Sequence, residues 1–309
     1  MSKRAIGTGW LVARRCVAAL GVFAVAIVAI WAYCEHENSK QVPAATDAQL
    51  RVGFANARGW VLRNRAAVLA QNNFMLWLFV REAGRLSGDS QLLALADDYQ
   101  RQSVDGVVRF FFDRTGVEAA YDSHISLPDG WQPYQRLFAY GATCNIQLST
   151  DVMVQSMLSP SVCEQRLAGV RNPWCRTHQL MGLRLVQKNR CLPDEETRPT
   201  LEHVQAGILA ELQWDFRVED AYLQKVWTLI ESGRRDQIKA VWIHRILAAQ
   251  QADGGWTAAH IILPLPAGRA LYWEGSLVPH LGRPPQTDFH ATAQGLYLLA
   301  LLLHRDRAS

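Results

Sequence analysis

At 309 residues and 49% hydrophobic content, the chain can bury one large core, and its length does not demand two domains. The formal charge of +4 is small, and much of the excess sits in Lys3, Arg4, Arg14 and Arg15 rather than in a stripe that could follow phosphates, so nucleic acid is not an expected partner. Eleven tryptophans spread along the whole chain suit helix packing and a sugar- or lipid-facing pocket.

From Cys16 to Cys34 (CVAALGVFAVAIVAIWAYC) no residue is charged. At about 1.5 Å per residue, a helix of this length nearly crosses a hydrocarbon core of about 30 Å. The flank before it is basic and the flank after it, Glu35-His36-Glu37, is acidic. The positive-inside bias therefore predicts a cytoplasmic N-terminus over residues 1–15, a transmembrane anchor over 16–34, and export of everything beyond. The expected location is the inner membrane of a Gram-negative-type envelope, single pass, with the bulk of the chain periplasmic. A cleaved signal peptide is the rival, but its apolar core usually spans about 7–15 residues and ends at an A-x-A site, which is not found cleanly here.

Residues 35–45 read as a polar linker, and 46–309 as a helical domain opened by Thr46 as helix N-cap. In NNFMLWLFVREAGRL, Phe74, Trp77, Leu78 and Arg81 fall at three- and four-residue spacings. SGDSQLLALADDYQRQ starts with a turn and a capping residue before Leu92, Leu93 and Ala96. Further helices are expected at about 133–143, 150–158, 174–188, 197–214, 219–232, 237–251 and 288–304. VVRFFFDRTG, Val107 to Gly116, alone reads as a strand, with a hairpin to VEAAYDS. The expected fold is mainly α: short helical hairpins stacked on one another after one N-terminal transmembrane helix.

Export changes the reading of the cysteines. Cys144, Cys163, Cys175 and Cys191 form an even set in what would be an oxidising compartment, which suggests two disulfides without choosing among the three pairings. Zinc is an alternative, because Cys175 and His178 in CRTH stand one helical turn apart, although no second such pair accompanies them. Free buried thiols are the third reading.

QQADGGW, Gln250 to Trp256, resembles the Gln…Gly-Trp repeat element of the terpenoid cyclases and protein prenyltransferase β subunits, whose fold is a double ring of helices, the α/α toroid. In those families the glutamine sits near a helix end and the tryptophan stacks at the start of the next segment, tying neighbouring helices together. TDFHATAQGLYLLALLL likewise looks like the final inner helix of prenyltransferase β subunits, where a histidine in the setting of His290 binds zinc. The resemblance covers about 70 C-terminal residues and also fits the helical barrels of polysaccharide lyases and glycosidases. It implies an α/α-toroid-like array. The chemistry of the isoprenoid families is not carried over: D-x-D-D is absent, DDYQR puts Arg101 where a metal-binding carboxylate should stand, and the nearest cysteine before His290 is Cys191. No cofactor and no metal are therefore expected.

The segment from Asp253 to His290 reads as a loop rich in proline and aromatics and gathers the candidate site. Asp253, Glu274, His260 and His290 are the acid–base candidates; Trp256, Tyr272, Trp273 and His280 are the candidate ligand-binding faces. Each has a structural alternative. Asp253-Gly254-Gly255 makes a good helix stop, Trp256 a packing wedge, and His290, just after Asp288, a capping or core histidine. Glu274, between Trp273 and Gly275, is the least explained by packing. Two functions follow: a membrane-anchored domain that binds a glycan, lipid or envelope protein at the mouth of a helical ring, or a glycan-cleaving lyase or hydrolase.

Overall fold

The structure, a computed structural model, describes residues 4–103, 106–112, 120–164, 174–275 and 278–304. It is mainly helical. Helix α1 (Arg4–Ser39) carries one stretch, Val17–Ser39, long and apolar enough to cross a membrane, with a mean hydropathy of 2.4. Val17, Leu20, Phe23, Val28 and Ile30 on it are each more than half exposed. Helix α2 (Asp47–Arg63) starts at Thr46, whose hydroxyl accepts from the Gln49 N–H while the Gln49 side chain accepts from the Thr46 N–H, a reciprocal cap. There follow α3 (Phe74–Ser87), α4 (Ser90–Ser103), α5 (Pro133–Thr143), α6 (Val152–Leu158), α7 (Cys175–Lys188), α8 (Asp194–Trp214), α9 (Asp220–Glu231), α10 (Ala240–Ala249) and α11 (Phe289–Leu303).

Side-chain contacts fix the directions of five of these helices. Near their starts, Trp77 of α3 meets Phe289 of α11, Asp220 of α9 meets His290 of α11, and Tyr134 of α5 meets His178 of α7. Further along, Phe79 stacks on Tyr297, Trp227 donates to Gln294, and Gly141 lies against Val186. Thr177 near the start of α7 donates to Gln224 of α9 (2.5 Å), and Lys188 and Glu231 at the ends of those two helices line one cavity with residues from α3, α5 and α11, so all five helices run parallel. Helices α5 and α7 touch because glycine sits at both crossings: an added Cβ on Gly182 would stand 2.3 Å from Leu137, and one on Gly141 2.9 Å from the Val186 backbone nitrogen. Of the remaining helices, α4 packs on α3, α6 on α5, α8 on α7 and α2 on α11.

Three sequence expectations are corrected. The aromatic run at Val107 is not a strand: Gly106–Val108 is a 3-10 turn and Arg109–Phe112 a helix, while 113–119 lie outside the described residues. Its consecutive rings pack on two helices, Phe111 on Phe74 and Phe112 on Tyr99, and it meets no partner strand among the described residues. The segment read as a Pro- and aromatic-rich loop is a three-stranded antiparallel sheet, β1 (His260–Leu265), β2 (Arg269–Trp273) and β3 (His280–Gly282), in the order β1-β2-β3. Pro264, which argues against a strand in sequence, sits on an edge strand where its missing N–H costs little. The linker is not free either. Residues 35–39 continue α1, and Asn38, 3% exposed, accepts from Trp242 (2.8 Å) and Arg245 (3.0 Å) while donating to the Gln213 carbonyl (2.7 Å).

The cysteines pair as Cys144–Cys191 and Cys163–Cys175. Cys175 is thereby unavailable as a zinc ligand beside His178. Cys34 is a free, buried thiol whose Sγ lies 3.3 Å from the Trp214 carbonyl.

Candidate functional site

The candidates from Asp253 to His290 fall in three places. Asp253 and Trp256 belong to the turn after α10. The Asp253 carboxylate accepts from Trp60 Nε1 (3.1 Å), Thr287 Oγ1 (2.5 Å) and the Gly255 N–H (3.1 Å). Burial raises its pKa, but these hydrogen bonds outweigh it and hold the carboxyl below its ordinary value. Trp256 is 1% exposed; its indole N–H donates to the Ile246 carbonyl (2.8 Å), and an added Cβ on Gly295 would stand 2.5 Å from its ring. Both side chains are used in tying α2, α10 and α11 together.

The second place is the sheet. His260 stacks on Trp273 across the β1–β2 pair (6.2 Å, 16°), and the Phe216 ring meets both edge-on. The Val218 N–H donates to His260 Nδ1 (3.2 Å), so the proton of the neutral ring sits on Nε2. Burial lowers the His260 pKa. Tyr272 stacks on His280 of β3 (5.6 Å). Glu274 is exposed at the end of β2, beside Gly275, whose N–H donates to Glu219 (3.1 Å).

The third place is where helix starts converge, and it brings His290 to two residues that the sequence did not connect with it. His290 Nδ1 lies 3.0 Å from Asp220 Oδ2, across from the start of α9. Burial disfavours the His290 charge, yet the hydrogen bond and charge of Asp220 prevail and raise its pKa. His178, one turn into α7, hydrogen-bonds the Trp174 carbonyl through Nδ1 (2.8 Å) and lies under the Tyr134 ring (4.2 Å). Its pKa is lowered, by burial first and by the charge of His290 second. Asp288 caps α11, accepting from Ala291 (2.8 Å) and also from Ala258 (2.9 Å), and burial raises its pKa. A carboxylate that fixes one imidazole nitrogen leaves the other to hold or move a proton, so the cluster can bind a polar ligand or carry acid–base chemistry. Among the described residues, no group of three or more His, Cys, Asp and Glu has a metal-binding arrangement.

The two histidines should titrate in opposite directions. By histidine-resolved NMR, His290 should have its midpoint above about 6.5 and His178 below it. Asp220→Asn should bring the His290 midpoint down; a midpoint that stays put would mean that the pair does not form. The stability signs follow. His290 contributes fully below about pH 6.5, and that contribution is lost as pH rises through its higher folded value. His178 costs stability as pH falls from about 6.5 through its depressed folded value.

The cavity shared by the five parallel helices, about 100 Å³, was also missed. Glu82, Arg184, Lys188 and Glu231 bring charge, and Tyr297 a phenol, into a wall that also holds Leu78, Phe79, Met181 and Trp227. Burial pushes the Glu231 carboxyl up against the pull of Lys188 and Arg184, and Tyr297 is held well above an ordinary phenol by burial and by Glu231. Among known proteins, no family profile, no curated protein and no solved structure matches the chain.

Proposed function

We propose that the chain is a membrane-anchored periplasmic domain in which α3, α5, α7, α9 and α11 form the inner wall of an α/α-toroid-like ring, and that it binds an envelope ligand at the mouth of that ring, around His290, Asp220 and His178. The convergence of His290 and Asp220 at 3.0 Å, from helices about 70 residues apart in sequence, carries the reading. Three features support it. The longest connections, 103–133, 158–175 and 249–289, all lead into starts of the parallel helices, whereas those leaving their ends are short. Loops gathered on one end of a rigid scaffold are where binding residues concentrate. Gln250 donates to the carbonyls of Gly53 and Gly254 (2.9 Å each) while Trp256 donates to α10, the helix-tying role that the Gln…Gly-Trp resemblance implies. Two disulfides suit an oxidising compartment, and α1 is apolar enough for an anchor.

Acid–base cleavage of a glycan is the second reading, favoured by the same Asp220–His290 pair. In that case His290 acts through its free nitrogen with Asp220 orienting it, and neither Asp253, engaged in its turn, nor exposed Glu274 is the central group.

Calorimetry of the full chain in detergent with soluble peptidoglycan fragments and with phospholipid micelles tests the binding reading. One probe should bind, and His290→Ala and Asp220→Asn should each weaken it about tenfold or more, the loss of one charge-assisted contact, with helix content by circular dichroism unchanged. Binding indifferent to both variants, or absent with every probe, overturns the proposal. Release of reducing ends by the wild type but not by His290→Ala would select the second reading.

A further inference from the structure

The end of the domain that carries His290 is also the end from which α1 departs. Trp31 packs on Trp214 (6.2 Å), the last residue of α8, and Tyr33 meets Phe216 edge-on (5.2 Å), in the connection from α8 to the start of α9 that Asp220 begins. Beyond that junction Val17, Leu20, Phe23, Val28 and Ile30 are each more than half exposed, so this part of α1 is not packed against the body. Whatever bilayer α1 crosses therefore lies over this end. The sheet occupies the same end, joined to α1 through a chain of rings: Tyr33 to Phe216, Phe216 to Trp273 (5.8 Å), Trp273 to His260.

The sheet's two faces differ. Leu263 pairs with Leu271 and Leu271 with Leu281, so the three leucines form one row on one face. Leu263 is 53% and Leu281 62% exposed, and Val278, in the β2–β3 connection, is 70% exposed. Ala270, next to Leu271 and hence on the other face, is 2% exposed, so the leucine row points away from the core. Exposed Arg269 lies two residues from Leu271, on the leucine face, and exposed Arg283 follows β3 directly. Apolar residues flanked by arginines, continuous with a tryptophan and tyrosine cluster at the foot of a membrane helix, match the chemistry of the bilayer interface.

We propose that the Leu263–Leu271–Leu281 face is a second membrane contact, seated in the headgroup and acyl boundary of the outer leaflet of the bilayer that α1 crosses. The proposal rests on the membrane-anchor reading and deepens the mouth site. A cavity of about 780 Å³ between α1 (Ala29, Ile30, Tyr33) and Trp214 and Trp273 then opens at the interface, and the ligand class that reaches this end is a membrane lipid.

The test uses the full chain, with Cys16→Ser and Cys34→Ala, reconstituted in phosphatidylethanolamine–phosphatidylglycerol vesicles. An environment-sensitive fluorophore is placed in turn at Leu263→Cys, Val278→Cys and Leu281→Cys, with Val152→Cys as control. Val152 is an 82% exposed apolar residue that begins α6, which packs on α5. Labels on the sheet should emit to the blue and be quenched several-fold more than the Val152 label by lipids carrying a spin label high on the acyl chain. Equal quenching at all four positions overturns the inference and, where His290-dependent binding persists, leaves the mouth site standing. A chain that fails to float with the vesicles overturns it together with the anchor.

Discussion

Replacing Cys144 and Cys191 with serine is expected to lower the unfolding free energy by about 4 kcal/mol, because the bridge closes 47 residues of chain. The loop-closure argument gives about 3 kcal/mol for Cys163–Cys175, which closes 12. The larger bridge also fastens a polar seam between the end of α5 and the turn after α7. Tyr140 donates to the Cys191 carbonyl (3.2 Å) and Asn189 to the Gly141 carbonyl (2.7 Å), bonds that lose their alignment when the ends part. At about 2–4 °C per kcal/mol for a domain of this size, the double serine variant should melt about 8–16 °C lower. Scanning calorimetry with and without reductant checks this. Reductant should destabilise the wild type by more than either double variant alone, and a wild type indifferent to it would mean that the bridges do not form. Intact protein should show four alkylatable thiols more after reduction than before.

Helix α3 was legible because its apolar residues recur at helical spacing, whereas α9 and α11 are buried all round. The spacing of Phe74, Trp77, Leu78 and Arg81 locates α3, and the expected 133–143 coincides with α5. Where one residue's burial is decided by several elements, local pattern fails. Phe111 and Phe112 read as strand because adjacent aromatics favour one, but their neighbours are helices on different sides. The sheet was hidden by Pro264 and by turns at Pro266–Gly268, which in sequence resemble an irregular loop. The count of bridging cysteines could be read, but not their pairing, which depends on α5 and α7 lying side by side. The same limit governs the site. His290 was a candidate from its local setting, whereas Asp220 reads as an ordinary acidic first-turn residue until α9 and α11 are placed in parallel. Glu82 and Glu231 look like solvated helix charges, and nothing nearby in sequence tells which face of α3 or α9 looks into a shared cavity.

Gly254→Ala should be nearly as damaging, about 4 kcal/mol, and it explains why the chain places Asp253, two glycines and Trp256 directly after a helix. Gly254 has φ +95°, which an alanine adopts only with strain of about 1–3 kcal/mol. Its added Cβ would also stand 2.4 Å from the Asn56 carbonyl oxygen, a backbone atom inside α2 that no rotamer change can move. Relieving that overlap means pushing α2 away, at an overpacking cost of about 1–3 kcal/mol. The turn has little slack for this, since Arg63 of α2 holds the Asp253 carbonyl (2.6 Å), Trp60 holds its carboxylate, and Gln250 holds Gly53. Gly88→Ala is the control: φ there is also positive, +71°, but nothing lies within 4 Å of an added Cβ, so only backbone strain of about 1–2 kcal/mol is expected. Urea unfolding of both variants separates the two terms. A Gly254→Ala cost no greater than that of Gly88→Ala would mean that α2 does not press on this turn, and the motif would then act as a plain helix stop. A several-fold larger cost identifies the turn as the clasp that binds the first helix of the domain to the last.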